Sequence, residues 1–165
     1  VLPADLALSG AAQVLAMALQ RKRIAVDVLV NNAGVLEQGA FVAMSAQWQQ
    51  QLIALNVSGL TVMLASFVPP TVERGFGRVL NVTSVAAFQP VPTLATCAAT
   101  KAYVRSLAES LAEELLGTGV TVTALCPDIT VTAMLSSAAR ANSQLGKLPG
   151  FMVGDVDGTS RCPAR

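Results

Sequence analysis

The chain has 165 residues, 53% of them hydrophobic and 13% charged, with 11 basic and 10 acidic side chains. That length supports one domain with a sizeable core, and the charge content is low beside the usual value of about 25%. A net charge of +1 without a long basic run excludes a nucleic-acid footprint, and the lack of histidine excludes Ser-His-Asp hydrolysis and most zinc centres, so no metal site is predicted.

Asp5, in PADLA, precedes the first helical stretch. Ser9 is placed to cap GAAQVLAMALQRKR, whose closing Arg21–Arg23 cluster reads as a solvated helix C-terminus. AVDVLV, Ala25 to Val30, is the first of three short runs rich in β-branched residues. Asn31, Asn32, Ala33 and Gly34 follow at its C-terminal end, where open parallel sheets bind ligands. Small residues there let a flat ligand approach the backbone; the same residues also make an ordinary tight turn.

Ser45 is placed to cap AQWQQQLIALNVSGLTVMLASFV, which Pro69 and Pro70 are expected to end. Leu52 to Pro69 is about long enough to cross a bilayer, but Asn56, Ser58, Thr61 and Ser66 interrupt it and no basic flank marks an inside end. It reads as a buried helix, and no membrane partner is predicted.

RVLNV, Arg78 to Val82, is the second run and leads into Thr83 and Ser84. A serine there can hydrogen-bond a carbonyl oxygen or simply start a loop. A third helix spans about Leu94 to Leu116, stopped by Gly117 and Gly119, and carries Cys97 and Lys101 one turn apart. VTVTAL, Val120 to Leu125, leads into CPDITVT, where Pro127 ends the strand and Thr130 or Thr132 can donate to a phosphate or amide. Past Ala141 the periodicity decays, which predicts a domain over 1–141 and a loop or disordered tail over 142–165. Cys97, Cys126 and Cys162 have no CxxC or metal spacing, which predicts reduced thiols and a cytoplasmic location.

None of the three strand runs alternates cleanly, the pattern of strands buried on both faces of a parallel sheet. Helix and strand alternate, so the class is α/β with right-handed crossovers. Asn31, Ser84 and Pro127 then fall at or just past successive strand ends on one edge, with Cys97 and Lys101 on the helix between the last two.

On these residues the sequence resembles the short-chain dehydrogenase/reductase family over roughly Asp5 to Thr132. The resemblance rests on NNAG, the LNVSG helix segment, the VTS serine, the thirteen-residue step from Ser84 to Cys97, the three residues between Cys97 and Lys101, and a P-x-x-x-x-T loop. It implies a partial Rossmann-type doubly wound parallel sheet and NAD(P)-dependent hydride transfer between NAD or NADP and a small-molecule carbonyl or alcohol. It further implies that Asn56 holds a water in a proton relay, Ser84 orients the substrate carbonyl, and Lys101 binds the nicotinamide ribose and lowers the pKa of a neighbouring tyrosine. Asn31, Ala33 and Gly34, with Pro127 and Thr132, would line the cofactor, and Asp5 matches the acid that contacts adenine. Asp5 is also a natural cap, and Asn56 a natural polar residue between packed helices. The resemblance predicts a homo-oligomer through the two long helices, around Ala46–Val68 and Leu94–Leu116, with Ala98, Ala102, Ala112, Leu55, Leu60 and Leu64 in the contact.

The sequence also departs from the family. Cys97 stands where the family has its tyrosine, and Tyr103 lies nearly on the opposite side of the helix from Lys101. A nearby ammonium is expected to lower the thiol pKa, so reach rather than acidity is the expected obstacle. No glycine-rich phosphate loop precedes the first helix, Asp128 replaces a glycine, and the first two βα units and the last strand are expected to be missing. These departures predict impaired chemistry, with a catalytically silent pseudoenzyme or gene remnant as the rival reading.

Overall fold

A computed structural model describes residues 1–127, 129–130 and 153–154. Thr132, Asp128 and almost all of the predicted tail lie outside the described residues.

The chain enters through a turn rather than a strand. The Asp5 carboxylate accepts from Ala7 N at 3.0 Å and its carbonyl from Leu8 N at 3.1 Å, an Asx-type turn. Helix α1, Ala11–Arg21, starts on Gly10 with φ 84°, so Ser9 does not cap it as expected. Strand β1, Val28–Asn31, is shorter than the predicted run and shifted towards Asn31. Ser45 does cap helix α2, Ala46–Ile53, its Oγ accepting from Trp48 N at 3.2 Å. A π-helical turn over Ala54–Gly59 joins α2 to helix α3, Leu60–Arg74.

The predicted stop at Pro69 and Pro70 does not occur: α3 runs through both and ends at Gly75, φ 70°. Both prolines are exposed, whereas Met63, Leu64, Phe67, Val68 and Thr71 bury a continuous face on either side of them. Apolar burial of that face outweighs the loss of two intrahelical donors on the outer side.

Strand β2, Gly77–Val82, leads through a 3-10 turn at Val85–Phe88 to helix α4, Ala95–Glu114, and then to strand β3, Val120–Leu125. Ile129–Thr130 (β4) pairs in parallel with Val153–Gly154 (β5), so two residues of the predicted tail form a short strand.

The main sheet is parallel in the order β1-β2-β3. Leu29, Val79 and Val122 form one rung and, with Leu60, Met63, Leu64, Phe67, Val68, Val104 and Ala108 of α3 and α4, make the core. Asn31, Asn81 and Ala124 are the next rung along the same face. Among the described residues, helices cover one face of this sheet. The intervening rungs, Val28–Arg78–Thr121 and Val30–Leu80–Thr123, face the other way, and all but the half-buried Leu80 are exposed among the described residues.

The membrane-length stretch resolves as a core helix. Ala46–Arg74 contains a stretch long and apolar enough to span a bilayer, but its large side chains pack onto the sheet. Within it, Gly59 is required by a close approach: a Cβ there would stand 2.5 Å from the Leu6 carbonyl oxygen of the entering chain. Leu60, Leu64 and Ala98, expected in an oligomer contact, are instead buried within the chain. The exposed large apolar groups on these helices are Ile53 and Tyr103.

Candidate active site

Three connections leave the C-terminal ends of β1, β2 and β3, and backbone bonds lock the last two together. Thr83 N donates to Leu125 O at 2.8 Å and Val85 N to Pro127 O at 3.1 Å. Pro127 therefore pins the turn that Ser84 opens. Ser84 is half-buried in extended backbone, and its Oγ accepts from Ala86 N at 3.2 Å. Its hydroxyl proton stays available to a carbonyl oxygen.

Asn56 sits in the π-helical turn, a local widening common at functional sites. Its Oδ1 accepts from Val35 N at 2.9 Å, and its Nδ2 donates to Val35 O at 3.0 Å and to Thr100 Oγ1 at 3.3 Å. Thr100 Oγ1 in turn donates to Cys97 O at 2.7 Å. The Asn56 amide thus clamps the loop after β1 to α4, with both of its polar atoms already engaged. Gly34 lies in that loop, and a Cβ on it would stand 3.2 Å from Asn56 Oδ1 and 3.7 Å from Lys101 Nζ.

Lys101 is held from two sides. Its Nζ donates to Val82 O at 3.1 Å, and its carbonyl accepts from Thr83 Oγ1 at 2.8 Å. Burial pushes its pKa below the ordinary lysine value, and the Cys97 thiolate opposes that only in part. The expected depression of the Cys97 pKa is reversed. Burial raises it, and the Lys101 ammonium offsets only part of the rise, so at neutral pH the thiol is protonated. Cys97 is 7% exposed and borders a narrow cleft that Glu37, Gly39, Phe41, Met44, Leu52 and Leu94 also line. Tyr103 does face away, its hydroxyl 3.0 Å from Thr61 Oγ1.

Asn31 turns inward. Its Nδ2 donates to Asn81 Oδ1 at 2.8 Å across the rung, and Asn81 Nδ2 has no partner among the described residues. The structure therefore gathers Gly34, Asn56, Cys97 and Lys101 at one place, with Ser84 and Pro127 on the adjoining strand end. Ala33 is exposed on the loop, and Asp5 is exposed with its carboxylate committed to its own turn. Sequence reasoning missed Asn81 and Thr100 as structural parts of the site, and placed Thr83 at the strand end without a role. An asparagine inside a β-branched run, depleted in strands, was the available signal for Asn81.

The sequence profile of a family described as short chain dehydrogenase matches residues 1–143. Nodulation protein G of Azospirillum brasilense is 39% identical over 111 residues, 67% of this chain and 45% of that protein. The uncharacterized oxidoreductase YvrD of Bacillus subtilis is 32% identical over 123 residues, 72% of this chain and 47% of that protein. The chain thus spans about half the length of these curated relatives. Among solved structures, a short-chain dehydrogenase from Sphingobium yanoikuyae in complex with NADPH superposes with a TM-score of 0.79 at 34% identity, over 93% of this chain and 58% of the other.

Proposed function

The chain belongs to the short-chain dehydrogenase family, and from that premise we propose that it is the catalytic-helix half of an NAD(P)-dependent oxidoreductase, impaired at proton transfer by Cys97. The observation that carries this reading is the meeting of Gly34, Asn56 and Lys101. Gly34 offers no side chain where a Cβ would lie 3.7 Å from Lys101 Nζ, which suits a flat ring and a ribose hydroxyl approaching the ammonium. The complex of the Sphingobium relative with NADPH supports the same cofactor class. When bound, the nicotinamide supplies or takes the hydride.

The chain's own residues do the rest. Lys101 would hold the ribose through its ammonium and supply positive charge beside the reacting oxygen. Ser84 Oγ–H donates to a carbonyl oxygen. Pro127 O, through Val85 N, fixes the angle of that serine. Asn56 holds the Val35 backbone and so sets the depth of Gly34. Ala33 lies on the exposed rim. Asp5 and Thr132 enter only as family positions for the adenine end and the closing loop. The substrate class is a small carbonyl or alcohol, the location cytoplasmic, and association between copies would use the Ile53 and Tyr103 faces of the long helices.

Proton transfer is the weak step. A protonated, buried thiol ends one bond beyond Cβ, short of where a phenol would place its oxygen. This observation favours the silent-relative reading as the second. One experiment separates them: fuse the chain behind the glycine-rich units of a relative, then compare Cys97 with Cys97→Tyr. The tyrosine variant is expected to gain about 10²- to 10⁴-fold in turnover, and Lys101→Ala on top is expected to abolish the gain. Equal turnover of the two would show that the thiol, or a water it holds, transfers the proton.

A further inference from the structure

The Gln89–Leu94 connection carries an unusual backbone conformation. Leu94 N donates to Val91 O at 3.1 Å, closing a turn with Pro92 in its second position and Thr93 in its third. Thr93 has φ 66°, the left-handed value that a type II turn normally reserves for glycine or asparagine. A β-branched residue in that region is an outlier, and such outliers persist where the surrounding structure over-determines them.

Thr93 makes two bonds to the loop that lines the cleft beside Cys97. Its carbonyl accepts from Gly39 N at 2.9 Å, and its Oγ1 accepts from Gln38 Nε2 at 3.1 Å. The second bond needs a hydroxyl, which glycine could not supply. The loop is tied at its far end as well: Met44 N donates to Phe41 O at 3.3 Å, and Gln49 Nε2 reaches Met44 Sδ at 3.5 Å from α2. Closing it has a further local cost, since Gln38 Oε1 is buried with no partner among the described residues. The closed arrangement therefore combines a strained residue, an orphaned acceptor and two bonds to a short flap.

We propose that residues 37–44 form a lid over Cys97, latched shut by Gln38 and Gly39 on the strained Thr93, so that access of a small-molecule substrate to the Cys97–Lys101 site requires the latch to open. The proposal concerns the gate of the site assigned above and rests on that reading for its purpose. Its test needs no turnover and so fails or succeeds separately from the assignment of function.

The measurement is the rate at which methyl methanethiosulfonate modifies Cys97 under native conditions, at one pH, with Cys126 and Cys162 replaced by serine. The closed lid is expected to hold that rate on the order of 100-fold below the rate in the denatured chain. Gln38→Ala and Thr93→Val, which keeps the branched Cβ but loses the acceptor, should each raise it about 3- to 10-fold. The double variant should be no faster than either single one, because both remove the same bond. Thr93→Ser, which retains the hydroxyl, should keep the native rate. A native rate equal to the denatured rate, unchanged single variants, or effects that multiply in the double variant would each overturn the latch. The native and Thr93→Ser rates decide the matter even if a disrupted variant does not fold.

Discussion

Leu29 and Val30 are neighbours in one strand and meet opposite environments: Leu29 is 9% exposed, within the core, and Val30 is 53% exposed on the bare face of the sheet. The same contrast runs across the sheet. On one face, α3 and α4 cover the Leu29–Val79–Val122 rung, and the polar rung of Asn31 and Asn81 lies just below the candidate site. On the other, Val28, Val30, Thr121 and Thr123 are open among the described residues. Among the described residues, stability and chemistry are thus organised by one layer of helices, while the second face leaves Val28 and Val30 open beside Arg78, Thr121 and Thr123. β1 adds to this an edge that pairs only with β2 among the described residues, the arrangement that makes isolated sheets stick to one another.

The contrast is broken most severely by truncation on the covered face. Leu29→Ala should destabilise the chain by about 2–5 kcal/mol, whereas Val30→Ala should stay within about 0.5 kcal/mol, both read from denaturant midpoints at constant slope. A loss at Val30 as large as that at Leu29 would mean that the second face is packed. A smaller effect is expected in association. Val28→Lys with Val30→Lys should lower the light scattering of the purified chain at matched concentration, because charge on an open apolar face opposes self-contact. Unchanged scattering would place the sticky surface elsewhere.

The smallest effect sharpens the comparison at the site end of the covered face. The folded-state pKa of Cys97 lies above its ordinary value of 9.0, so the stability gained by keeping the thiol protonated is complete below that pH and is lost as pH rises through the folded value. The folded-state pKa of Lys101 lies below 10.5, so burying the ammonium destabilises the chain at lower pH and that cost is relieved as pH rises through the window beneath 10.5. The two slopes oppose. Cys97→Ser should therefore become relatively more stable as pH rises above 9.0, and Lys101→Met relatively less stable as pH rises towards 10.5, in a series of denaturant midpoints. Parallel profiles for both variants and the parent would show that neither group is desolvated.

How far the sequence foretold this layout depends on the kind of signal. Val120–Leu125 matches its predicted strand, and α4 falls within a residue or two of its predicted ends, because long periodic or β-branched stretches bounded by glycine leave little choice. The nearness of Gly34, Asn56 and Lys101 was expected only through the resemblance to the short-chain dehydrogenase family, not from the residues by themselves. What was not legible came from competition between local and tertiary terms. Pro69 and Pro70 are strong local stops, overridden by a buried face that only the folded sheet supplies. The thiol pKa followed burial rather than its charged neighbour, and that burial is a product of the folded chain rather than of the local sequence. Which sheet face is covered among the described residues was hidden because apolar residues on an uncovered face look the same in a sequence as those on a covered one. Asn31 was read as facing a ligand, whereas the rung geometry points it at Asn81.

The π-helical turn between α2 and α3 carries one further implication. A π turn holds more residues per revolution than an α turn, so Ala54–Gly59 resets the angular phase of everything that follows it on the rod. A helical wheel drawn at constant pitch from Ala46 to Arg74 would smear two distinct stripes into one. With the reset, Leu52 before the turn and Met63, Leu64 and Phe67 after it are all buried, while Asn56 reaches Val35 in between. Pitch within this segment is therefore not a neutral quantity. Tightening 54–59 to α pitch at unchanged length would rotate the two halves of the rod by roughly a quarter turn relative to one another, parting the Asn56 clamp from the face that holds α3 to the sheet.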